Sequence, residues 1–185
     1  MGISIQLGLS EEEFITALIN REKWAQKAVY EEMYSDLLLV CLRYASNNQD
    51  ALDILHDGFI KVFRNISKYK VGTSFESWMR RIMINTSIDY YRREKRRWTE
   101  DIETAHHLSA ASDGAIAKMG EKEILQAIQS LSPAYRMVFN LYVIEGYSHR
   151  EIADVLNINE STSRSNLVKA RSKLRNIIEL KKDMK

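Results

Sequence analysis

Apolar residues recur along this chain at intervals of three and four, in blocks separated by short polar turns, which is the period of amphipathic helices and not of strands. Ser10-Glu11-Glu12-Glu13 reads as a capping box that opens a short helix over Glu11 to Ile19. A longer helix is predicted from Glu22 to Ala45, with Trp24, Ala28, Tyr34, Leu38 and Leu42 at helical spacing. The polar turn Ser46-Asn47-Asn48-Gln49 precedes a third helix, Asp50 to Ile66, whose apolar face is Leu52, Leu55, Phe59, Val62, Phe63 and Ile66. Gly58 inside it is a local conflict, costing roughly 1 kcal/mol relative to alanine, and suggests close approach of another backbone. After a loop, Lys68 to Ser74, a fourth helix runs from Phe75 to Arg97 with a stripe of Phe75, Trp78, Met79, Ile82, Ile88 and Tyr91.

The pattern lapses over residues 98–120, where Ala, Ser and His mix without a period, so this stretch reads as a flexible linker. It resumes near Glu121. Ser132-Pro133 marks a helix start with serine as cap and proline in the first turn. That helix carries Val138, Phe139, Leu141 and Tyr142 and is broken by Glu145-Gly146-Tyr147. Ser148-His149-Arg150-Glu151 is a second capping box, followed by Ile152, Ala153, Val155 and Leu156. Asn157-Ile158-Asn159 turns the chain into a last helix with Leu167, Ala170, Leu174 and Ile177. The expected fold is all-α: two small helical domains, residues 1–97 and 121–185, joined by the linker.

Composition agrees with this reading. One proline and seven glycines are few for a chain of strands and hairpins. Cys41 is the only cysteine, which excludes an intrachain disulfide and a cysteine-cluster zinc site. The apolar run from Leu37 to Leu42 is too short to span a bilayer, and the first nine residues lack a basic start and a long apolar core, so the expectation is a cytoplasmic protein without membrane insertion. The net charge is only +2, but it is unevenly spread. Residues 67–97 carry nine basic against three acidic side chains and residues 148–185 nine against five, with acidic stretches before and between. A protein that touches nucleic acid at two places needs such blocks.

The richest motif is a helix-turn-helix over residues 148–175. A short helix must end in a tight turn, and the second must lie across it with one face packed and the other free for a major groove. Ile158 can fill the space between them, and Ala170 is small enough for close packing. The free face carries Arg164, Ser165, Val168 and Lys169, which suit phosphates, base edges and a thymine methyl. The fourth helix adds Arg80, Arg81, Arg92, Arg93, Lys95, Arg96 and Arg97 interleaved with aromatics, the combination that single-strand capture requires. Trp78 and Tyr91 fall on its apolar stripe; Tyr90 points elsewhere.

These segments resemble those of a known family. The run Asp50-Ala51-Leu52-Asp53-Ile54-Leu55-His56-Asp57-Gly58-Phe59 is similar to the core-binding segment of bacterial sigma factors. Ser74 to Ile82, then Asn85 and Asp89 to Arg93, resembles their promoter-melting segment, and Tyr147 to Leu174 their C-terminal helix-turn-helix. The order and spacing are those of the extracytoplasmic-function (ECF) subfamily, over about residues 10–97 and 121–178.

The resemblance implies a transcription initiation factor whose partners are core RNA polymerase and promoter DNA. Asp50, Asp53, His56 and Asp57 match the patch that docks on the polymerase; Asp53 and Asp57, one turn apart, can meet basic residues on one surface. Lys68, Tyr69, Lys70, Val71, Gly72 and Thr73 occupy the loop that in the family captures a flipped base of the minus-ten element. Arg80, Arg81, Asn85, Arg92 and Arg93 match the helix that holds the separated strand, though Asn85 and Asp89 could instead bond each other. The minus-thirty-five element falls to Arg164, Ser165, Asn166, Val168 and Lys169. The chain departs from the common pattern at Leu52 (glutamate), His56 (glutamine), Ser163 (valine), Asn166 (arginine) and Val168 (a larger residue), so base preference does not carry over. In the family the linker threads the polymerase near the template path, a role an acidic segment suits. Many members are held inactive by an anti-sigma protein that covers both domains, and the resemblance leaves such a partner open here.

Three rival readings differ in what they explain. A helix-turn-helix regulator acting without polymerase accounts for residues 121–185 but not for the acidic third and basic fourth helices. A protein-only adaptor leaves both basic blocks without purpose. An enzyme would need a phosphate loop, a nucleophile elbow or paired metal-ligand histidines; His106 and His107 lack that spacing, and no cofactor or metal is implied.

Overall fold

Two serines start helices by the same device. The Ser10 hydroxyl accepts from the Glu13 N–H at 3.1 Å while the Glu13 carboxylate accepts from the Ser10 N–H at 2.8 Å. Ser148 and Glu151 repeat this at 3.2 and 2.8 Å. The hydrogen bonds from the two serines hold both carboxyls below their ordinary range. In this computed structural model, which describes residues 8–100 and 119–183, the described residues are almost wholly helical. The helices are α1 (Glu11–Ile19), α2 (Lys23–Tyr44), α3 (Asn48–Arg64), α4 (Phe75–Glu100), α5 (Met119–Gln129), α6 (Pro133–Phe139), α7 (His149–Leu156) and α8 (Glu160–Asp183). A 3-10 turn, Ile66–Lys68, follows α3. The linker expected over residues 98–120 lies largely outside the described residues, with α4 running on to Glu100 and α5 beginning at Met119.

Three local expectations change. At the start of α3 the cap is Asn47, whose Oδ1 accepts from the Asp50 N–H at 2.8 Å. Ser132 precedes α6 without a side-chain cap bond; only its carbonyl serves, accepting from the Arg136 N–H at 2.9 Å. Beyond α6 the helix widens over Asn140–Ile144, where the Glu145 N–H reaches back to the Asn140 carbonyl at 3.0 Å, before Gly146 turns the chain at φ +76°.

Packing divides the chain into two compact units, Met1–Cys41 with Leu52–Thr86, and Leu42–Ala51 with Ser87–Lys185. This division is not the sequence-based split at residue 97: the end of α2, the start of α3 and the C-terminal half of α4 group with the later helices. In the first unit Phe14, Leu18, Val29, Leu37, Leu55, Val62, Met79 and Met83 are fully buried or nearly so. The buried face of α2 is Ala25, Val29, Met33, Leu37 and Cys41, one position after the expected Trp24 and Ala28 and one before the expected Tyr34, Leu38 and Leu42, and Trp24 is 45% exposed. Apolar residues lie almost all round α2, so their spacing did not choose the face; its neighbours did. A Cβ on Gly58 would collide with the Met83 Sδ, so the close approach inferred for this glycine is to a buried side chain, not a backbone.

The second unit is centred on Ala127, Ile128, Leu131, Ala170 and Leu174, with Tyr135, Phe139 and Ile177 packed against them. It also holds a buried polar seam. Arg136 is 2% exposed, and its guanidinium donates to the Gln129 carbonyl and to Ser46 Oγ, both at 2.6 Å. Asn140, 0% exposed, donates to the Arg43 carbonyl at 2.6 Å, and Gln129 to the Leu42 carbonyl at 3.0 Å. These bonds satisfy carbonyls at the C-terminal end of α2 that have no intrahelical donor. Burial pulls the Arg136 pKa down to about 10, opposed by the charge of Asp50.

Candidate nucleic-acid and polymerase interfaces

The α3–α4 loop is organised by its own hydrogen bonds. Thr73 donates through its N–H and its hydroxyl to the Lys70 carbonyl, at 3.2 and 2.7 Å, and Gly72 takes φ +85°, a conformation that disfavours any residue with a Cβ. Ser74 Oγ then accepts from the Ser77 N–H at 3.1 Å at the start of α4. Lys68, Lys70, Val71, Gly72 and Thr73 are exposed. Tyr69 is not: it is 6% exposed and packs against Phe75 and Trp78, with ring centroids 5.0 and 5.5 Å away. Of the residues assigned to this loop from sequence, Tyr69 forms its floor and the others its surface.

On α4, Arg81, Asn85, Arg92 and Arg93 are exposed and Arg80 is half-buried. Arg93 lies over the Tyr90 ring, 5.3 Å from its centroid. Arg92 has an ion pair with Asp89 at 3.7 Å, and its Nε donates to the Val155 carbonyl at 2.7 Å, yet its side chain keeps 43% of its exposure. Asp89 therefore has Arg92 as a partner, one turn along. Within the second unit, Asp89, Arg92, Arg93, Lys95, Arg96, Leu156 and Asn157 line a hollow of about 630 Å³ rich in positive charge. On α3, Asp53, His56 and Asp57 are exposed on one face and Asp50 is half-buried at the head of the helix.

The helix-turn-helix forms as the pattern requires. Asn157 closes α7 in the left-handed conformation at φ 50°, which asparagine tolerates, and Ile158 in the turn is half-buried. Leu167 and Ala170 are buried on the packed side of α8. Arg164, Ser165, Val168 and Lys169 all face out, Val168 with 68% exposure, while Asn166 is half-buried. Arg164 is paired with Glu160 one turn earlier and Ser165 Oγ donates to the Thr162 carbonyl at 3.0 Å.

Several residues that matter here carried little sequence signal. Ser163, at a buried position, bonds His149 Nδ1 at 2.9 Å, and the His149 ring stacks on Tyr142 with centroids 4.4 Å apart. Burial first, then the charge of Arg164, hold His149 below the ordinary histidine range. Arg136 stood in an otherwise apolar run, Tyr135 to Phe139, a signal that could have marked it as a buried cation. Glu11 looked like part of a helix start, yet its carboxylate bonds Tyr69 and Gly72, 58 and 61 residues away.

An exposed helix face set in a helix-turn-helix, and a separate cationic helix with aromatics, are the arrangement expected of a helix-turn-helix DNA-binding protein. The family model for Sigma-70 region 2 matches residues 29–97, and that for Sigma-70, region 4 matches residues 121–174. The chain is 32% identical to the ECF RNA polymerase sigma factor SigE of Mycolicibacterium smegmatis over 74% of its own length and 54% of that protein's. It is 29% identical to the ECF RNA polymerase sigma factor SigW of Bacillus subtilis, over 78% of this chain and 84% of that one. In fold it is similar to the sigma factor RpoE of Bartonella quintana, solved in complex with the anti-sigma factor NepR: the TM-score is 0.53 and the identity 18%, over 83% of this chain and 96% of that one. The chain belongs to the sigma-70 family of RNA polymerase sigma factors, in its ECF subfamily.

Proposed function

We propose that this chain binds core RNA polymerase, directs it to particular promoters and helps open the minus-ten DNA, and that it is not itself an enzyme. Asp50, Asp53, His56 and Asp57 dock on the polymerase. The α3–α4 loop takes an extracted base of the minus-ten element, while Arg80, Arg81, Asn85, Arg92 and Arg93 hold the separated strand. Base extraction costs a few kcal/mol of stacking, which the loop and the backbone contacts offset. Arg164, Ser165, Asn166, Val168 and Lys169 read the minus-thirty-five element, Val168 meeting a methyl or another apolar edge.

The observation that carries the reading is that all three surfaces occur in one chain, in region 2 to region 4 order, with Arg164 and Lys169 exposed. A helix-turn-helix regulator would need only the last of them. The division into residues 1–97 and 121–185 is the functional one in this proposal, with residues 98–120 passing through the polymerase. An anti-sigma factor is the expected regulator, as for the Bartonella protein, and the site of action is the cytoplasm. No helix among the described residues is long and apolar enough to cross a membrane.

Run-off transcription by core polymerase on a promoter library, with and without the chain, tests the proposal. Promoter-directed transcripts should require it. Arg164→Ala with Lys169→Ala should lower promoter-directed transcription and spare polymerase binding; Asp53→Lys with Asp57→Lys should abolish polymerase binding. Loss of the same step in both variants would refute the division of labour.

A further inference from the structure

Resting on that reading of the α3–α4 loop, we propose that Glu11 is a positioning residue for minus-ten recognition: from the N-terminal helix it clamps the base-capturing loop into its receptive shape. Glu11 is the first residue of α1, whose start is set by the Ser10–Glu13 capping box and whose inner face buries Phe14, Ile15 and Leu18. It is therefore presented from a fixed support. Its two carboxylate oxygens engage two different points of the loop. Oε1 accepts from the Tyr69 hydroxyl at 2.7 Å and Oε2 from the Gly72 N–H at 3.3 Å.

Those two points govern the loop's shape. The one Tyr69 hydroxyl proton lies between two acceptors, the Glu11 carboxylate and the Thr73 carbonyl at 2.5 Å, and by sharing it Glu11, Tyr69 and Thr73 tie the two ends of the turn together. Gly72 carries the left-handed backbone conformation that makes the turn possible, and its N–H is aimed at the carboxylate. Between them lies the exposed apex, Lys70 and Val71. Burial and the bond to Glu11 raise the Tyr69 hydroxyl above the ordinary tyrosine range, which keeps it a protonated donor across the working pH range.

Electrostatics sharpens the point. A carboxylate beside a loop meant for a polyanion repels it, so Glu11 lowers general affinity for DNA. Its presence there makes sense if holding the loop's backbone brings more selectivity than the charge loses in affinity. α1 also precedes residues 29–97, the part that the region 2 model matches, so the clamp comes from a segment outside that shared core.

The test is run-off transcription with core polymerase on promoters varied base by base through the minus-ten element, using the full chain. Glu11→Ala should reduce discrimination at one or two minus-ten positions about tenfold, the scale of losing one charge-assisted hydrogen bond, with minus-thirty-five preference and polymerase affinity unchanged. Tyr69→Phe keeps the ring packing, deletes the hydroxyl and should reproduce the defect. Adding Glu11→Ala to it should cost less than it does alone. Glu11→Gln, which keeps one acceptor, should fall between wild type and alanine. Hydrogen exchange of the Gly72 amide, expected about tenfold faster in Glu11→Ala, reads the clamp without transcription. Glu11→Ala with wild-type base preference at every minus-ten position, whatever its melting temperature, would overturn the proposal. If the wild-type chain itself supports no promoter-directed transcript, the functional reading fails, while faster Gly72 exchange in the variant would still show the clamp as a loop support alone.

Discussion

The recognition helix α8 and the α3–α4 loop both face outward, but they hold their shape by different means. On α8 the outward Arg164, Ser165, Val168 and Lys169 sit on a helix anchored along its length by Ser163, Leu167, Ala170 and Leu174, and the backbone needs nothing from that outward face. In the loop the backbone itself is the feature to be preserved, and it depends on groups other than the exposed apex of Lys70 and Val71: the Tyr69 ring, the Glu11 carboxylate and the left-handed Gly72. Damage should therefore be local on α8 and indirect in the loop.

The largest expected effect is on α8. If the proposal holds, Arg164→Ala with Lys169→Ala removes two contacts worth about 1–3 kcal/mol each, so promoter-directed transcription should fall about 30-fold or more, with minus-ten base preference intact. A drop confined to the minus-ten pattern would break the comparison. Next is Arg136→Ala, a cation of the same unit that faces inward. It strands Ser46 and the Gln129 carbonyl and should cost about 3 kcal/mol, read as a lower melting temperature, with base preference unchanged in the folded protein. In the loop, Gly72→Val must hold a β-branched residue at φ +85°; the strain of about 1–2 kcal/mol should blunt minus-ten discrimination roughly tenfold and leave minus-thirty-five preference alone.

The smallest effect concerns pH. His149 binds its proton less readily in the fold than in the unfolded chain, so its contribution to stability is full above about pH 6.5 and declines as pH falls through that value. The melting temperature should therefore drop between pH 7.5 and 5.5 (values chosen to bracket about 6.5), and His149→Gln should flatten that drop.

Much of the fold was legible because the forces that set it act within a turn or two. Both capping boxes, the glycine break at Gly146 and the turn at Asn157–Asn159 are local, and the helix-turn-helix with its outward Arg164 and Lys169 followed from them. The cationic α4 face followed from its run of arginines and the acidic α3 patch from the resemblance, and both are exposed apart from half-buried Asp50 and Arg80.

What tertiary structure alone decided involves partners far apart in the chain. The buried face of α2 was undetermined because apolar residues surround that helix, and only its neighbours select Val29, Leu37 and Cys41. Tyr69 turned inward because Phe75 and Trp78 were there to receive it. Glu11 found its loop 58 residues away, and Arg136 found Ser46 at a separation of 90. The sequence by itself determined where helices begin, end and show charge, because those are short-range effects. Which polar groups are buried together depended on chain segments meeting in space, and no local pattern records that.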